Sequence, residues 1–275
     1  MIDPQMVEQY QQQGYVVAKG LFSPEETIAL RDHFMTYRPA APSDSDGRNK
    51  NITEETDPLK LYSRLMMPHR FDEVALKWLI DPRINTWITA LEGSEPYAVQ
   101  TMVYYKPAGS RGQALHQDQF YVRAQPGTCV AAWMALDRCD EENGCLEVVP
   151  GTHNIPVLCT KDADLTQSFT SDTVDLPEGY KPVPVVMEAG DVLFFNGQVV
   201  HGSFPNTSKD RFRRALIGHY VVGEARAVSE WYHPVLRMDG TPVDFGVSER
   251  GGKCGVWVER DGQPVAEVIG VETRQ

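Results

Sequence analysis

The chain has 275 residues, and its 38 acidic and 26 basic side chains give a net charge of −12. Apolar residues make up 41% of it and its mean hydropathy is −0.37. These values are ordinary for a soluble globular protein and exclude a disordered or fibrous chain. The acidic balance argues against nucleic acid and anionic membranes as partners, because both are bound through clustered lysine and arginine.

The termini and the cysteines predict a cytoplasmic protein. No stretch has the roughly 18–20 apolar residues that a membrane-spanning helix needs. The N-terminus carries acids and glutamines where a signal peptide would carry a basic and then an apolar run. The number of cysteines is odd and no C-x-x-C pair occurs, so we expect no disulfide framework and a reducing compartment. The cysteines are Cys129, Cys139, Cys145, Cys159 and Cys254.

The first 95 residues predict a helical layer. A helix over 7–13 ends at Gly14, and a short strand follows at 15–17. Glycine terminates a helix well because it adopts the left-handed conformation without a steric cost.

Further helix signals follow. Ser23 and Glu26 have the spacing of a capping box, which predicts a helix start. Residues 72–92 have helical spacing, and Pro82 is expected to divide them into two helices. Residues 38–58, which are rich in Pro, Ser, Asp, Gly and Asn, predict a mobile loop.

The remainder of the chain predicts a mainly β fold. Short β-prone runs alternate with turn residues and have no helices between them, which implies an antiparallel sandwich or barrel. We predict a double-stranded β-helix, the jelly roll of cupin-like proteins, over 96–223. The helical layer 1–95 packs on it, 224–275 forms a C-terminal extension, and the whole chain 1–275 is one domain. The predicted strands are 97–105, 115–122, 128–136, 145–149, 183–187, 192–195 and 215–222.

The sharpest chemical pattern is His116-Gln117-Asp118 in one of these strands. Side chains at i and i+2 leave a strand on the same face, so His116 and Asp118 are expected to point together into the barrel. They supply two ligands of the 2-His-1-carboxylate triad that holds Fe(II) in non-heme oxygenases. The bare pattern is weak evidence, because it arises by chance in a chain of this composition about as often as not. The third ligand must come from a distant strand, and His201 after an apolar run is the candidate.

A basic residue strengthens this interpretation. Oxygenases of this kind consume 2-oxoglutarate, whose first carboxylate and keto oxygen bind the metal and whose distal carboxylate must be held elsewhere. A guanidinium can donate two parallel hydrogen bonds to it, and a hydroxyl can add a third. Arg213 and Ser203, both close after His201 in the chain, are the candidates.

Taken together, these residues resemble the phytanoyl-CoA dioxygenase family of Fe(II)/2-oxoglutarate-dependent oxygenases. The resemblance covers nearly the whole chain, and its motifs are specific only in combination. They are Gly14-Tyr15-Val16-Val17, Leu21-Phe22-Ser23-Pro24-Glu25-Glu26, Lys106-Pro107, His116-Gln117-Asp118, Tyr121, Trp133, Asn143-Gly144-Cys145-Leu146, Pro150-Gly151-Thr152-His153, Gly190-Asp191, His201-Gly202-Ser203, Asn206, Ser208 and Arg213-Arg214.

The resemblance implies roles for individual residues. The iron ligands, and so the catalytic centre, are His116, Asp118 and His201. The residues that bind 2-oxoglutarate are Arg213, Ser203, Trp133, Tyr104 and Met102. Gln100 matches a position that faces the prime substrate. We add Gln117 and Tyr121 as further candidate substrate-binding residues.

The roles of four other basic residues are interpreted separately. The interval from His201 to Arg213 is one residue longer than the family pattern, so Arg211 and Arg214 stay as alternative anchors for the cosubstrate. His219 shares strand parity with Arg213 and is interpreted as a hydrogen-bonded core histidine, not a ligand. Lys106, before Pro107, is interpreted as shaping the end of a strand.

The expected activity is that of an Fe(II)- and 2-oxoglutarate-dependent dioxygenase. It would hydroxylate an unactivated C–H bond of a small molecule with O2, release succinate and CO2, and be stimulated by ascorbate. Asp118 favours hydroxylation, because related halogenases have Gly or Ala at this position and bind chloride there.

Two alternatives remain. The same site could perform desaturation, epoxidation or cyclisation in specialised metabolism. A cupin-like metal-binding protein without oxygen chemistry would share the fold, but it would have no need of Arg213 with Ser203. Substrate specificity is expected in 38–70, in the polar insertion 159–180 and in the tail after Glu224, which fold over the barrel mouth.

Overall fold

The computed structural model describes residues 2–37, 64–248, 254–260 and 263–269. The predicted loop at 38–58 lies outside these ranges. No helix within them is long and apolar enough to cross a membrane. The described α-helices are α1 (Pro4–Gln13), α2 (Pro24–Met35), α3 (Glu73–Leu79), α4 (Pro82–Glu92) and α5 (Gln119–Val122).

Local sequence signals set the end of α1 and the start of α2, as predicted, but α1 begins at Pro4 and not at residue 7. Gly14 ends α1 with φ +82°, and its N–H donates to the Tyr10 carbonyl at 2.7 Å. Ser23 and Glu26 form the reciprocal capping box at the start of α2. Pro82 occupies the first turn of α4, so the apolar periodicity of 72–92 is divided between α3 and α4.

The strands form two main antiparallel sheets and several small ribbons. The strands are β1 (Tyr15–Ala18), β2 (Leu65–Met66), β3 (Tyr97–Lys106), β4 (Gln113–His116), β5 (Cys129–Ala135), β6 (Leu146–Val148), β7 (Thr160–Asp162), β8 (Asp172–Val174), β9 (Val183–Val185), β10 (Val192–Asn196), β11 (His201–Ser203), β12 (Arg213–Val221), β13 (Ala227–Val228), β14 (Val235–Leu236), β15 (Pro242–Val243), β16 (Gly246–Val247), β17 (Cys254–Arg260) and β18 (Gln263–Ile269). The larger sheet has eight strands in the order β1-β10-β5-β12-β3-β14-β15, with β2 paired to β3. The smaller sheet has four, β4-β11-β6-β9.

The two sheets face each other across a buried interior, which confirms the predicted jelly roll. Met102, Trp133 and Ile217 of the larger sheet share one apolar cluster with Leu146 and Val148 of the smaller one. The helical layer covers the outer face of the larger sheet, as predicted. Its contacts include the rings of Trp87 and Phe194, stacked 5.4 Å apart.

Side-chain alternation along β12 decides which residues reach the interior. Ile217 belongs to the cluster between the sheets, whereas Leu216 and Tyr220 pack against the helical layer. Arg213 and His219 share the parity of Ile217. They therefore lie inside the barrel, where both are buried.

The predicted strand at 115–122 is wrong beyond His116. Strand β4 ends at His116, and α5 begins at Gln119. Asp118 has helical dihedral angles, φ −64° and ψ −32°. Its main-chain oxygen accepts hydrogen bonds from the Tyr121 and Val122 N–H groups, so a helical turn outcompetes the strand that the β-prone residues favour.

The prediction of no disulfide is also wrong in this structure. Cys159 and Cys254 are bonded, with their Cα atoms 4.3 Å apart and a separation of 95 positions in the chain. The Gly255 N–H donates to the Val157 carbonyl at 2.8 Å, which holds the start of β17 beside the insertion. Cysteine counting did not find this pair, because the proximity arises only when the C-terminal segment folds back. The other three cysteines are free and buried.

Candidate metal and cosubstrate site

Three predicted ligands converge at one end of the barrel interior. His116 ends β4 and His201 begins β11, and the two are direct partners in the antiparallel register. Asp118 follows two residues after β4. The ligand atoms of these three buried residues all lie within 4.8 Å of one another.

Backbone contacts fix both imidazoles. The Nδ1 atoms of His116 and His201 donate to the carbonyls of Ala114 and Val199, at 2.9 and 3.0 Å. A carbonyl can only accept, so Nδ1 carries the hydrogen and Nε2 keeps its lone pair. Each Nε2 lies 3.6 Å from a carboxylate oxygen of Asp118. Two neutral imidazole nitrogens and one carboxylate are the donor set of the non-heme iron facial triad.

Electrostatics favour the metal-binding forms of Asp118 and His201. Burial opposes the charge of Asp118, but the neighbouring His201 and His219, with the hydrogen bond from His219, outweigh it and hold the pKa of Asp118 well below its usual value. Burial, together with His116, lowers the pKa of His201 to about 4. At neutral pH the carboxylate is therefore ionised and the His201 imidazole is neutral.

His219 is the hydrogen-bonded core histidine that was predicted. Its Nε2–H donates to Asp118 Oδ2 at 2.9 Å, and its Nδ1 lies 2.8 Å from the side-chain oxygen of Gln100. The contacts of His219 with Gln100 and Asp118 could not be predicted from the sequence, because the three residues are far apart in the chain. Strand parity predicted only that His219 faces the barrel interior.

A cavity of about 310 Å³ opens over the triad. The predicted insertion and C-terminal tail both contribute to its wall, as does the segment before β3. The predicted residues Gln100, Met102, Tyr104 and Tyr121 line it. The other lining residues are Arg64, Met66, Gln113, His116, Asp118, Val122, Phe169, Thr170, Ser171, Asp172, His219, Trp231 and Tyr232.

Gln117 lies away from this cavity. It is 1% exposed, and its amide donates to the Gln198 carbonyl at 2.8 Å and accepts from the Leu158 N–H at 2.7 Å. Its side chain therefore links the backbone at Gln198 to the backbone at Leu158. We therefore leave Gln117 out of the substrate site.

Arg213 is buried in the barrel interior. The residue is 2% exposed, and its guanidinium carbon lies 5.4 Å from the ring centroid of Trp133. Its Nε donates to the Gly144 carbonyl at 2.9 Å, whereas Nη1 is buried without a hydrogen-bond partner. A buried unpaired N–H is costly, so this group has the properties of a binding site for an anion.

The two alternative arginines are already paired with acids. Arg214 makes two hydrogen bonds of 2.7 Å to the carboxylate of Asp137. Arg211 bonds to Asp140 and Glu142 at the protein surface. Both are therefore neutralised outside the barrel.

Sequence reasoning missed the position of Lys106. Its side chain is 3% exposed, and Nζ donates to Ser203 Oγ at 2.8 Å and to the Phe204 carbonyl at 2.6 Å. Strand parity could have indicated that Lys106 points into the barrel. Every second residue of β3 shares one face, and Lys106 follows Gln100, Met102 and Tyr104 in that series.

Comparison with known proteins agrees with this geometry. The family model described as phytanoyl-CoA dioxygenase matches residues 10–215, more than half of the chain. The chain belongs to the phytanoyl-CoA dioxygenase family. Peroxisomal phytanoyl-CoA dioxygenase of Bos taurus is 30% identical over 226 residues, which cover 77% of this chain and 66% of that protein. The chain thus spans less than two thirds of the length of the first curated relatives.

Solved structures share the fold. The epimerase SnoN, solved with Fe3+, α-ketoglutarate and nogalamycin RO, is 21% identical with a TM-score of 0.63, over 92% of this chain and 98% of that one. The non-heme α-ketoglutarate-dependent carbocyclase SnoK is also 21% identical with a TM-score of 0.63, over 90% and 94%. At this identity the likeness supports the jelly-roll fold alone.

Proposed function

We propose that the protein is an Fe(II)- and 2-oxoglutarate-dependent dioxygenase that hydroxylates an unactivated C–H bond of a small molecule and releases succinate and CO2. The observation that carries this proposal is the pairing of a buried His-Asp-His triad with a buried guanidinium that has an unpartnered N–H. A cupin-like metal protein without oxygen chemistry has no use for that second group.

Each residue of the site has a definite task in this proposal. His116, Asp118 and His201 would hold Fe(II), next to the cavity that His116 and Asp118 line. Arg213 and Ser203 bind the distal carboxylate of 2-oxoglutarate, while Trp133, Met102 and Tyr104 form the walls around its chain. When bound, Fe(II) with 2-oxoglutarate and O2 supplies the oxidising power. The protein orients the C–H bond and excludes water.

The prime substrate occupies the cavity above the triad. Gln100 and Tyr121 line it, together with Phe169–Asp172 of the insertion and Trp231 of the C-terminal segment. Loops of this kind carry specificity in many enzymes on rigid scaffolds. We propose a small molecule as the partner, and neither nucleic acid nor membrane. A cytoplasmic location stays a prediction from the sequence.

Other outcomes at the same site have support in the named neighbours, which include an epimerase and a carbocyclase. Mass spectrometry of the product separates them. Hydroxylation adds one oxygen atom, desaturation or ring closure removes two hydrogens, and epimerisation leaves the mass unchanged.

Succinate formation tests the proposal. Purified protein is loaded with Fe(II), supplied with 2-oxoglutarate, ascorbate and air, and succinate is measured with and without candidate substrates. We expect O2-dependent succinate from the wild-type protein and none above background from the double variant His116→Ala/His201→Ala, which lacks both imidazole ligands. Wild-type protein that forms no more succinate than this double variant under any of these conditions would refute the dioxygenase assignment.

A further inference from the structure

The inner end of the barrel contains two buried cations side by side. Lys106 on β3 and Arg213 on β12 are direct partners in the antiparallel register, and both point between the sheets. Within the described residues, no carboxylate forms an ion pair with either of them. Glu147 acts on Lys106 only through space. Two adjacent buried cations repel each other, and an anion bound between them would offset that repulsion.

The two hydrogen bonds of Lys106 go to uncharged oxygen atoms and leave one of its N–H groups without a partner. An ammonium group has three N–H donors, and two of them bond to Ser203 Oγ and the Phe204 carbonyl. Ser203 Oγ also accepts from the Gln113 N–H at 3.2 Å, so its own hydrogen is left to donate. Lys106 on β3, Arg213 Nη1 on the adjacent β12 and Ser203 on β11 of the smaller sheet thus present three unused donors.

The surrounding chain makes room for the lysine stem. Gly144 has φ +86°, and a Cβ atom there would lie 2.7 Å from Lys106 Cδ and 2.7 Å from the Phe204 carbonyl oxygen. The same glycine offers its carbonyl to Arg213 Nε. The turn at Gly144 therefore helps to position both Lys106 and Arg213.

We propose that Lys106 is a second cation for the distal carboxylate of 2-oxoglutarate, and that with Arg213 it sets the preference for a dicarboxylate cosubstrate. This inference rests on the proposed function. Burial and the neighbouring Arg213 lower the pKa of Lys106 well below its ordinary value, and an anion bound beside both groups would favour the charged form of the lysine.

A pair of ligands tests this role. Isothermal titration calorimetry of Fe(II)-loaded protein under nitrogen compares 2-oxoglutarate with 2-oxopentanoate, which has a methyl group in place of the distal carboxylate. In Lys106→Met, we expect the Kd for 2-oxoglutarate to rise about 10- to 100-fold, because a charged hydrogen bond is lost. The Kd for 2-oxopentanoate should change by less than about threefold, because this ligand never makes that bond.

Matched variants define the controls. Lys106→Arg keeps the charge and should keep most of the preference for 2-oxoglutarate, and Lys106→Gln replaces the Met variant if that one does not fold. Arg213→Ala should lose the same preference. Lys77→Met, at an exposed lysine on α3, should leave both ligands unaffected.

The outcomes separate this inference from the function on which it rests. An equal loss for both ligands in Lys106→Met, or no loss for either, would overturn the role of Lys106. Wild-type protein that shows no preference for 2-oxoglutarate over 2-oxopentanoate would instead overturn the distal-carboxylate site, and with it the dioxygenase proposal.

Discussion

Asp118 receives a hydrogen bond from a side chain outside the metal triad. His219 donates to its Oδ2 at 2.9 Å and is held in turn by Gln100. Such partners orient a ligand carboxylate, and their loss costs about 10- to 100-fold in metal affinity. We therefore expect His219→Ala to weaken Mn(II) binding by about that factor, measured from the electron paramagnetic resonance signal of free Mn(II). Manganese is used because it stays divalent in air.

Two further variants distinguish positioning from simple packing. His219→Gln keeps a donor and should recover part of the metal affinity. His153→Ala removes an imidazole whose Nε2 bonds only the Gln11 carbonyl, at 3.0 Å, and should leave metal affinity unchanged. If His219→Ala lowers thermal stability but binds Mn(II) like the wild type, His219 is part of the core and does not position Asp118.

The elements that the sequence predicted well are those with local signals. The capping box at Ser23 and the terminating Gly14 act within a few residues, and the helices begin and end there. The path after His116 was not predictable in this way, because β-prone residues at 119–122 form a helical turn whose start is fixed by Asp118. Strand β3 ends at Lys106, as predicted, but the contacts of its ammonium group with Ser203 and Phe204 were not predictable, because those residues lie 97 and 98 positions further along the chain.

The turn between β5 and β6 is the element on which both cations depend. Replacement of Gly144 by Ala places a Cβ 2.7 Å from Lys106 Cδ and from a backbone oxygen, in addition to the strain of φ +86°. The left-handed conformation costs about 1–2 kcal/mol for a residue with a side chain. Overpacking adds about 1–3 kcal/mol. We expect urea denaturation of Gly144→Ala to show the sum of the two losses in the free energy of unfolding.

Gly179 provides the matched control for this prediction. It has φ +89°, and nothing lies within 4 Å of an added Cβ. Gly179→Ala should therefore lose only the conformational part, about 1–2 kcal/mol. It should also bind 2-oxoglutarate like the wild type, whereas Gly144→Ala should bind it more weakly. Equal losses of stability in the two variants would mean that the turn yields without displacing Lys106.

At the scale of the whole molecule, the cavity is enclosed by parts that are far apart in the chain. Arg64 precedes the barrel strands, Phe169 belongs to the insertion and Trp231 to the C-terminal segment. None of these parts could be removed without opening the site. This dependence supports the proposal that residues 1–275 act as one domain, with the specificity of the enzyme distributed over its three additions to the barrel.

The disulfide between Cys159 and Cys254 is the covalent link among these parts, and it conflicts with the reducing compartment that the sequence predicts. Thiol counting decides between them. Denatured protein without reductant should react with Ellman's reagent at the three free cysteines only, and at all five after reduction. Cys254→Ser should give the same count, four, before and after reduction, because Cys159 then has no partner (5 − 1 = 4). Cys129→Ser, at a free cysteine, should still gain two thiols on reduction. Five reactive thiols in unreduced wild-type protein would show that the two cysteines are neighbours without a bond, as a reducing cytoplasm requires.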